Sequence, residues 1–143
     1  MEHTVSDLRS ALELLRSMPG QLLETDTEVD PMAELSGVYR HVGAGGTVMR
    51  PTKEGPAMIF NRVKGHPDAR VAIGLLASRK RVAALLGAKP ENLGKMLWSS
   101  VENPIPPVLT NEPAPCQQIV HKAEEPDFDL RRLVPAPTNT PDD

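Results

Sequence analysis

Nine of the chain's fifteen prolines fall within its last 41 residues, 103–143. Proline has no backbone N–H and holds φ at about −65°, so a segment this rich in it can be neither helix interior nor central strand. A packed core must then come from residues 1–102, read as an N-terminal α/β domain. Residues 103–143 are expected to form an extended proline-rich arm, a connector that runs over a surface with one short strand around residues 117–122. Only 3% of the 143 residues are aromatic (Tyr39, Phe60, Trp98 and Phe128), which leaves Leu, Val, Ile, Met and Ala to build the core.

Within residues 1–102 the apolar spacing alternates between helix and strand periods. Val5, Leu8, Ala11, Leu12, Leu15 and Met18 recur at three and four, an amphipathic helix with Thr4 or Ser6 as N-cap, ended by Pro19-Gly20. Leu23, Thr25, Thr27 and Val29 then alternate with Glu24, Asp26 and Glu28, the pattern of an edge strand with one wet face. Asp30-Pro31 supplies a cap and a first-turn proline for a helix carrying Met32, Leu35, Val38, Tyr39 and Val42, with its stop at Gly43. The runs at 56–60 and 70–76 lack polar alternation and read as an antiparallel pair of strands buried on both faces. Ser78 and Gly87 bracket a short helix with Val82, Leu85 and Leu86 as its apolar residues. A further helix spans 91–101 with Leu93, Met96, Leu97 and Val101 inward. The fold class that follows is α/β of the α+β kind: a small mixed sheet with several amphipathic helices, then the arm.

Composition excludes several functions. A net charge of −3 argues against a general nucleic-acid binder, whose footprint is basic. One cysteine, Cys116, rules out an internal disulfide and any multi-cysteine metal site, and a reducing cytoplasmic setting is expected. The acidic and polar N-terminus lacks a signal-peptide pattern, and no apolar run nears the ~18 residues of a membrane span.

Few residues carry a chemical signal. Glycines at 43–46 invite a phosphate-loop reading, but they follow a helix instead of joining strand to helix, so they read as helix termination. Arg79, Lys80 and Arg81 crowd a helical first turn, where the macrodipole already disfavours cations. They read either as an anion or acidic-partner contact or as a solvated basic face. His3, His41, His66 and His121 show no metal-ligand spacing. Glu124, Glu125, Asp127 and Asp129 could serve acid/base or metal chemistry, yet Arg131 and Arg132 beside them favour local ion pairs. Cys116 has no neighbouring cation to stabilise a thiolate. No catalytic, cofactor-binding or metal-ligating residue is assigned.

The succession SDLRSALELL, PGQLLETDTEVDPMAELSGVYRHVGAGGT, GPAMIFNRVKGHPDARVAIGLLASRKRVAALLGA and PDFDLRRLVPAPTNTPDD resembles, in collinear order over residues 5–141, the N-terminal region of UbiD-type decarboxylases. Within them it looks closest to the hydroxyarylic acid group, typified by protocatechuate (3,4-dihydroxybenzoate) decarboxylase. The resemblance implies reversible removal of CO₂ from an aromatic acid with prenylated FMN, a divalent metal and a monovalent cation. It also implies that a flavin-binding barrel and a C-terminal domain hold the catalytic groups, so that none is expected here. The chain is then expected to be a truncated or processed fragment, inactive alone, with the remainder of the decarboxylase as its partner and an apolar surface open to self-association. The competing readings are a non-catalytic subunit or a regulatory module that docks on a catalytic chain.

Overall fold

Asp7 caps the first helix, α1 (Leu8–Ser17), one residue beyond the Ser6 expected from the sequence; Thr4 lies outside the described residues. The Asp7 carboxylate accepts from the Ser10 N–H at 2.8 Å, and Ser10 Oγ accepts from the Asp7 N–H at 3.1 Å. This reciprocal box satisfies two orphan donors, which a lone serine cap cannot do. The computed structural model describes residues 5–46 and 54–140. Ala11 and Leu15 carry the buried stripe of α1, while Leu8 is exposed.

A three-stranded sheet follows, in the order β1 (Leu22–Thr25), β2 (Ala57–Phe60), β3 (Val71–Ile73). β1 runs parallel to β2 and β3 antiparallel to it, so the expected edge strand and hairpin are both present in a mixed sheet. β1 is shorter than the alternation at 23–29 suggests. The chain rejoins the sheet only at the Val29–Val63 bridge. β2, with a neighbour on each side, is buried at all four positions. The edge strand β3 is half-buried, which corrects the expectation that both runs are fully enclosed.

The parallel pair requires a crossover, and α2 (Glu34–Ala44) provides it. Expected to begin around Pro31-Met32, α2 starts later because residues 31–33 are held in a turn by hydrogen bonds to Thr138. The Ala33 N–H donates to the Thr138 carbonyl at 2.6 Å, and the Thr138 N–H donates to the Pro31 carbonyl at 3.1 Å. Ala33 takes φ 61°, and the Glu34 N–H bonds across it to the Met32 carbonyl at 2.7 Å, a tight three-residue turn. Met32 therefore faces solvent instead of joining the stripe of α2. The helix runs one residue past Gly43 and ends on left-handed Gly45 (φ 85°).

β2 alternates its side chains between the two faces of the sheet. Met58 and Phe60 join Val29, Leu35 and Val63 in the main core, flanked by Tyr39, Val42, Val71 and Ile73. Ala57 and Ile59, equally buried, project to the opposite face. Ser78 caps α3 (Arg79–Leu85) and Gly87 (φ 66°) follows it, as the sequence suggests. The buried residues of α3 are Arg81 and Ala83, however, and Leu86 is exposed.

A 3₁₀ turn (Pro90–Asn92) leads into α4 (Leu93–Glu102). Only Leu93 of its expected inward face is buried; Met96, Leu97 and Val101 are 36%, 48% and 76% exposed, Trp98 beside them is 66% exposed, and no described residue encloses them. Residues 104–113 are exposed and form no regular element. The strand expected at 117–122 is not formed; a 3₁₀ turn (Pro115–Gln117) stands at its start and no strand lies beside it. A one-turn helix, α5 (Leu130–Leu133), precedes the return to Pro31.

Phe60→Ala should lower unfolding stability by about 3–5 kcal/mol, as a large cavity opens in the main core. Trp98→Ala should change it by less than about 0.5 kcal/mol, because the indole packs on little. Urea denaturation followed by circular dichroism checks both.

Candidate functional site

Arg81 lies in the third position of α3 and is 1% exposed. Its Nη1 donates to the Gly55 carbonyl at 2.7 Å and to Gln21 Oε1 at 3.3 Å, and Nη2 donates to the Gly74 carbonyl at 3.1 Å. Gln21 precedes β1, Gly55 leads into β2 and Gly74 follows β3. Because β1 and β2 are parallel and β3 runs against them, these three positions lie at one end of the sheet. One guanidinium thus ties all three strands to α3. Burial pulls its pKa below the usual guanidinium value, opposed by Tyr39 and Glu54, and it remains a cation.

The same end is closed by contacts that only small residues permit. The Gly55 N–H donates to the Gly43 carbonyl at 2.7 Å, and a Cβ on Gly55 would lie 2.7 Å from the Gly43 Cα. Gly74, at φ 76°, places its Cα against the Tyr39 ring, where a side chain would collide. Ser78 Oγ donates to the Glu54 carboxylate and accepts from the Arg81 N–H at 3.2 Å. The site is therefore closed around the cation.

The structure separates the three basic residues that the sequence groups. Arg81 points inward, Arg79 Nε donates to the Pro90 carbonyl at 3.1 Å, and Lys80 is exposed. α3 is turned so that its basic first turn serves three directions.

A cleft of about 350 Å³ lies where the end of the chain crosses the entry to α2. Met32, Leu130, Val134 and Pro135 supply apolar wall, and Asp30 and His66 stand among the polar lining. The Asp30 carboxylate accepts from Lys64 Nζ at 2.8 Å and from the Met32 N–H at 2.9 Å. Lys64 and that N–H hold Asp30 below the usual carboxylate range, and Asp30 raises Lys64. Sequence reasoning missed this cleft, because nothing local links Asp30 to residues 130–138. Chemically it can bind; its one carboxylate already has a cation.

The remaining candidates do not converge. His3 lies outside the described residues, and His41 is exposed on α2. His121 stacks on Phe128 with ring centroids 5.9 Å apart and pairs with Glu125 at 3.1 Å, which lowers the Glu125 pKa. Asp129 caps α5 through the Arg131 N–H at 3.0 Å and meets Arg132 at 3.4 Å, the local ion pairing anticipated from the sequence. Among the described residues no three His, Cys, Asp or Glu side chains come together to hold a metal ion, and Cys116 is exposed.

Residues 12–100 match the family model described as the 3-octaprenyl-4-hydroxybenzoate carboxy-lyase N-terminal domain, UbiD_N. The chain is 54% identical over 138 residues to the gallate decarboxylase of Lactiplantibacillus plantarum, covering 96% of this chain and 28% of that one. The apo structure of a 3,4-dihydroxybenzoic acid decarboxylase from Enterobacter cloacae superposes with a TM-score of 0.82 at 57% identity, over 98% of this chain and 29% of that one. The UbiD-class enzyme HmfF of Pelotomaculum thermopropionicum, solved in complex with prFMN, superposes at 0.71 with 27% identity, over 96% and 28%. The chain spans less than a third of the length of these relatives.

Arg81→Ala should cost roughly 2–5 kcal/mol, because the Gly55 carbonyl and Gln21 lose their buried donor and the Gly74 carbonyl keeps only the Ala77 N–H, whereas Lys80→Ala should stay within about 0.5 kcal/mol. Thermal unfolding of both variants separates the clamp from its exposed neighbour. The pKa of Asp30 is depressed on folding, so its contribution is full above the ordinary carboxylate value of about 3.9 and is lost as pH falls through the lower folded value. Asp30→Asn should therefore lose less stability than the parent between about pH 5 and about pH 3 in acid titrations of the unfolding midpoint.

Proposed function

Because the chain belongs to the family of 3-octaprenyl-4-hydroxybenzoate carboxy-lyase N-terminal domains, we propose that it is the non-catalytic N-terminal scaffold of a reversible aromatic acid decarboxylase. Its substrates are hydroxybenzoate-type acids, and the reaction runs on prenylated FMN bound by the remainder of the enzyme, with a divalent metal and a monovalent cation. The observation that carries this reading is the match to a 3,4-dihydroxybenzoic acid decarboxylase: 57% identity over 98% of this chain, yet over only 29% of that one.

We place the cofactor and its metal on the remainder of the enzyme. Arg81 is engaged by carbonyls, Asp129 and Glu125 are paired locally, and no cluster of metal donors forms among the described residues. Bound to the remainder, the flavin would supply the electron sink for the carbanion that CO₂ leaves behind. This chain's residues contribute shape: the clamped sheet gives a rigid unit, and residues 103–143 lead toward the flavin-binding barrel. The chain alone is inactive, a truncated or processed part of the enzyme. We assign the whole to the cytoplasm, and no described helix is long and apolar enough to cross a membrane.

The exposed face of α4 favours a second reading, a regulatory or non-catalytic module that docks on a separate catalytic chain or self-associates. Gel filtration of the chain with intact Enterobacter cloacae decarboxylase tests it; a stoichiometric complex would support docking.

A full-length chimera, in which this chain replaces the matching N-terminal part of the Enterobacter cloacae enzyme, tests the first reading. The chimera, loaded with prenylated FMN, should release CO₂ from 3,4-dihydroxybenzoate, and the chain alone should not. A folded, loaded chimera without turnover, or turnover by the chain alone, would overturn it.

A further inference from the structure

Residues 117–122 are the one strand the sequence calls for that the structure leaves unmade. The run Gln-Gln-Ile-Val-His-Lys holds two adjacent β-branched residues, contains no Gly or Pro, and is bounded by Pro115 and Pro126. Six residues is an ordinary strand length. Its backbone finds no ladder in this chain: among the described residues, the N–H groups of Ile119, Val120 and His121, and the carbonyls of residues 117–121, have no hydrogen-bond partner. Ile119 and Val120 are 77% and 63% exposed. After the segment the chain is tied back to the core by the Thr138–Pro31 and Thr138–Ala33 hydrogen bonds.

The side-chain pattern specifies where the strand would sit. In an extended conformation Ile119 lies between Gln117 and His121 on one face, and Val120 between Gln118 and Lys122 on the other. One apolar residue flanked by polar ones on each face is unlike the continuous apolar run of the central strand β2. Prolines at both borders and Lys122 within the run are the features of a sheet edge. A partner sheet is therefore needed, and a single added strand suffices.

We propose that residues 117–122 form an edge strand that adds to an open sheet edge in the catalytic remainder of the decarboxylase, joining the two parts through main-chain hydrogen bonds. This rests on the reading above that such a remainder exists. It goes further by naming the contact and its chemistry: an exposed strand edge, sequence-tolerant because the recognition is by backbone, with Ile119 and Val120 seated on either side.

Hydrogen exchange by mass spectrometry with residue-level fragmentation, on the chimera and on the chain alone, tests the proposal. In the chain alone the amides of 119–121 should exchange as an open segment. In the chimera alternate amides should slow by roughly tenfold or more, since an edge strand bonds through one side only. Val120→Pro should abolish that slowing, and Val120→Thr should keep it. Uniformly fast amides in a chimera that turns over substrate would overturn the strand and leave the proposed function standing. Slow alternate amides in a folded chimera without turnover would support the strand and overturn that function; fast amides without turnover would overturn both. Should the chimera not fold, the matching segment of the Enterobacter cloacae enzyme in its own full chain is read the same way, slow alternate amides supporting the strand and fast ones overturning it.

Discussion

A single buried guanidinium sets the geometry on which the rest of this domain depends. Arg81 reaches from α3 to the carbonyls of Gly55 and Gly74 and to Gln21, which stand at the same end of β2, β3 and β1. Each carbonyl lies just beyond the ladder, where sheet hydrogen bonding no longer satisfies it. A planar fork with several donors can serve them at once, which a lysine ammonium on its flexible stem cannot match in direction. The cation is held by dipoles, with Glu54 nearby through Ser78, so its burial costs less than that of an unsolvated charge.

The close packing around that fork explains residues that would otherwise look arbitrary. Gly55 allows the end of α2 to touch the chain entering β2, and Gly74 allows Tyr39 to lie over the turn after β3. These contacts bring α2 down on the face where Met58 and Phe60 meet Leu35, so the βαβ crossover and the main core share one anchoring point. At the opposite margin of α2, residues 31–33 are held by Thr138, and the cleft beside them exists because the chain's end returns there. The domain is thus rigid at the sheet and shaped at its margin by its own tail.

What the fold leaves open is as informative as what it closes. α4 turns Leu97, Trp98 and Val101 to solvent, and Ile119 and Val120 lie bare in a segment without a ladder. A chain that spans under a third of its relatives would have its contact surfaces in such places, on the side away from its own core. Apolar exposure on this scale marks an interaction surface more often than a free face.

Much of this was legible in the residues themselves. The three-and-four spacing of α1, the uninterrupted apolar run of β2 and the Ser78 and Gly87 brackets of α3 are local signals, because hydrophobic period and cap chemistry act within a few residues. The resemblance over residues 5–141 likewise needs only residue order. Tertiary structure decided the rest: that Arg81 enters the core while Lys80 beside it stays in water, that α2 starts at Glu34 because Thr138 holds Ala33, and that residues 117–122 find no strand to pair with among the described residues. The reason is common to all three. A charge's burial, a helix's first residue and a strand's existence each depend on a partner far away in the sequence, and only folding determines whether that partner is there.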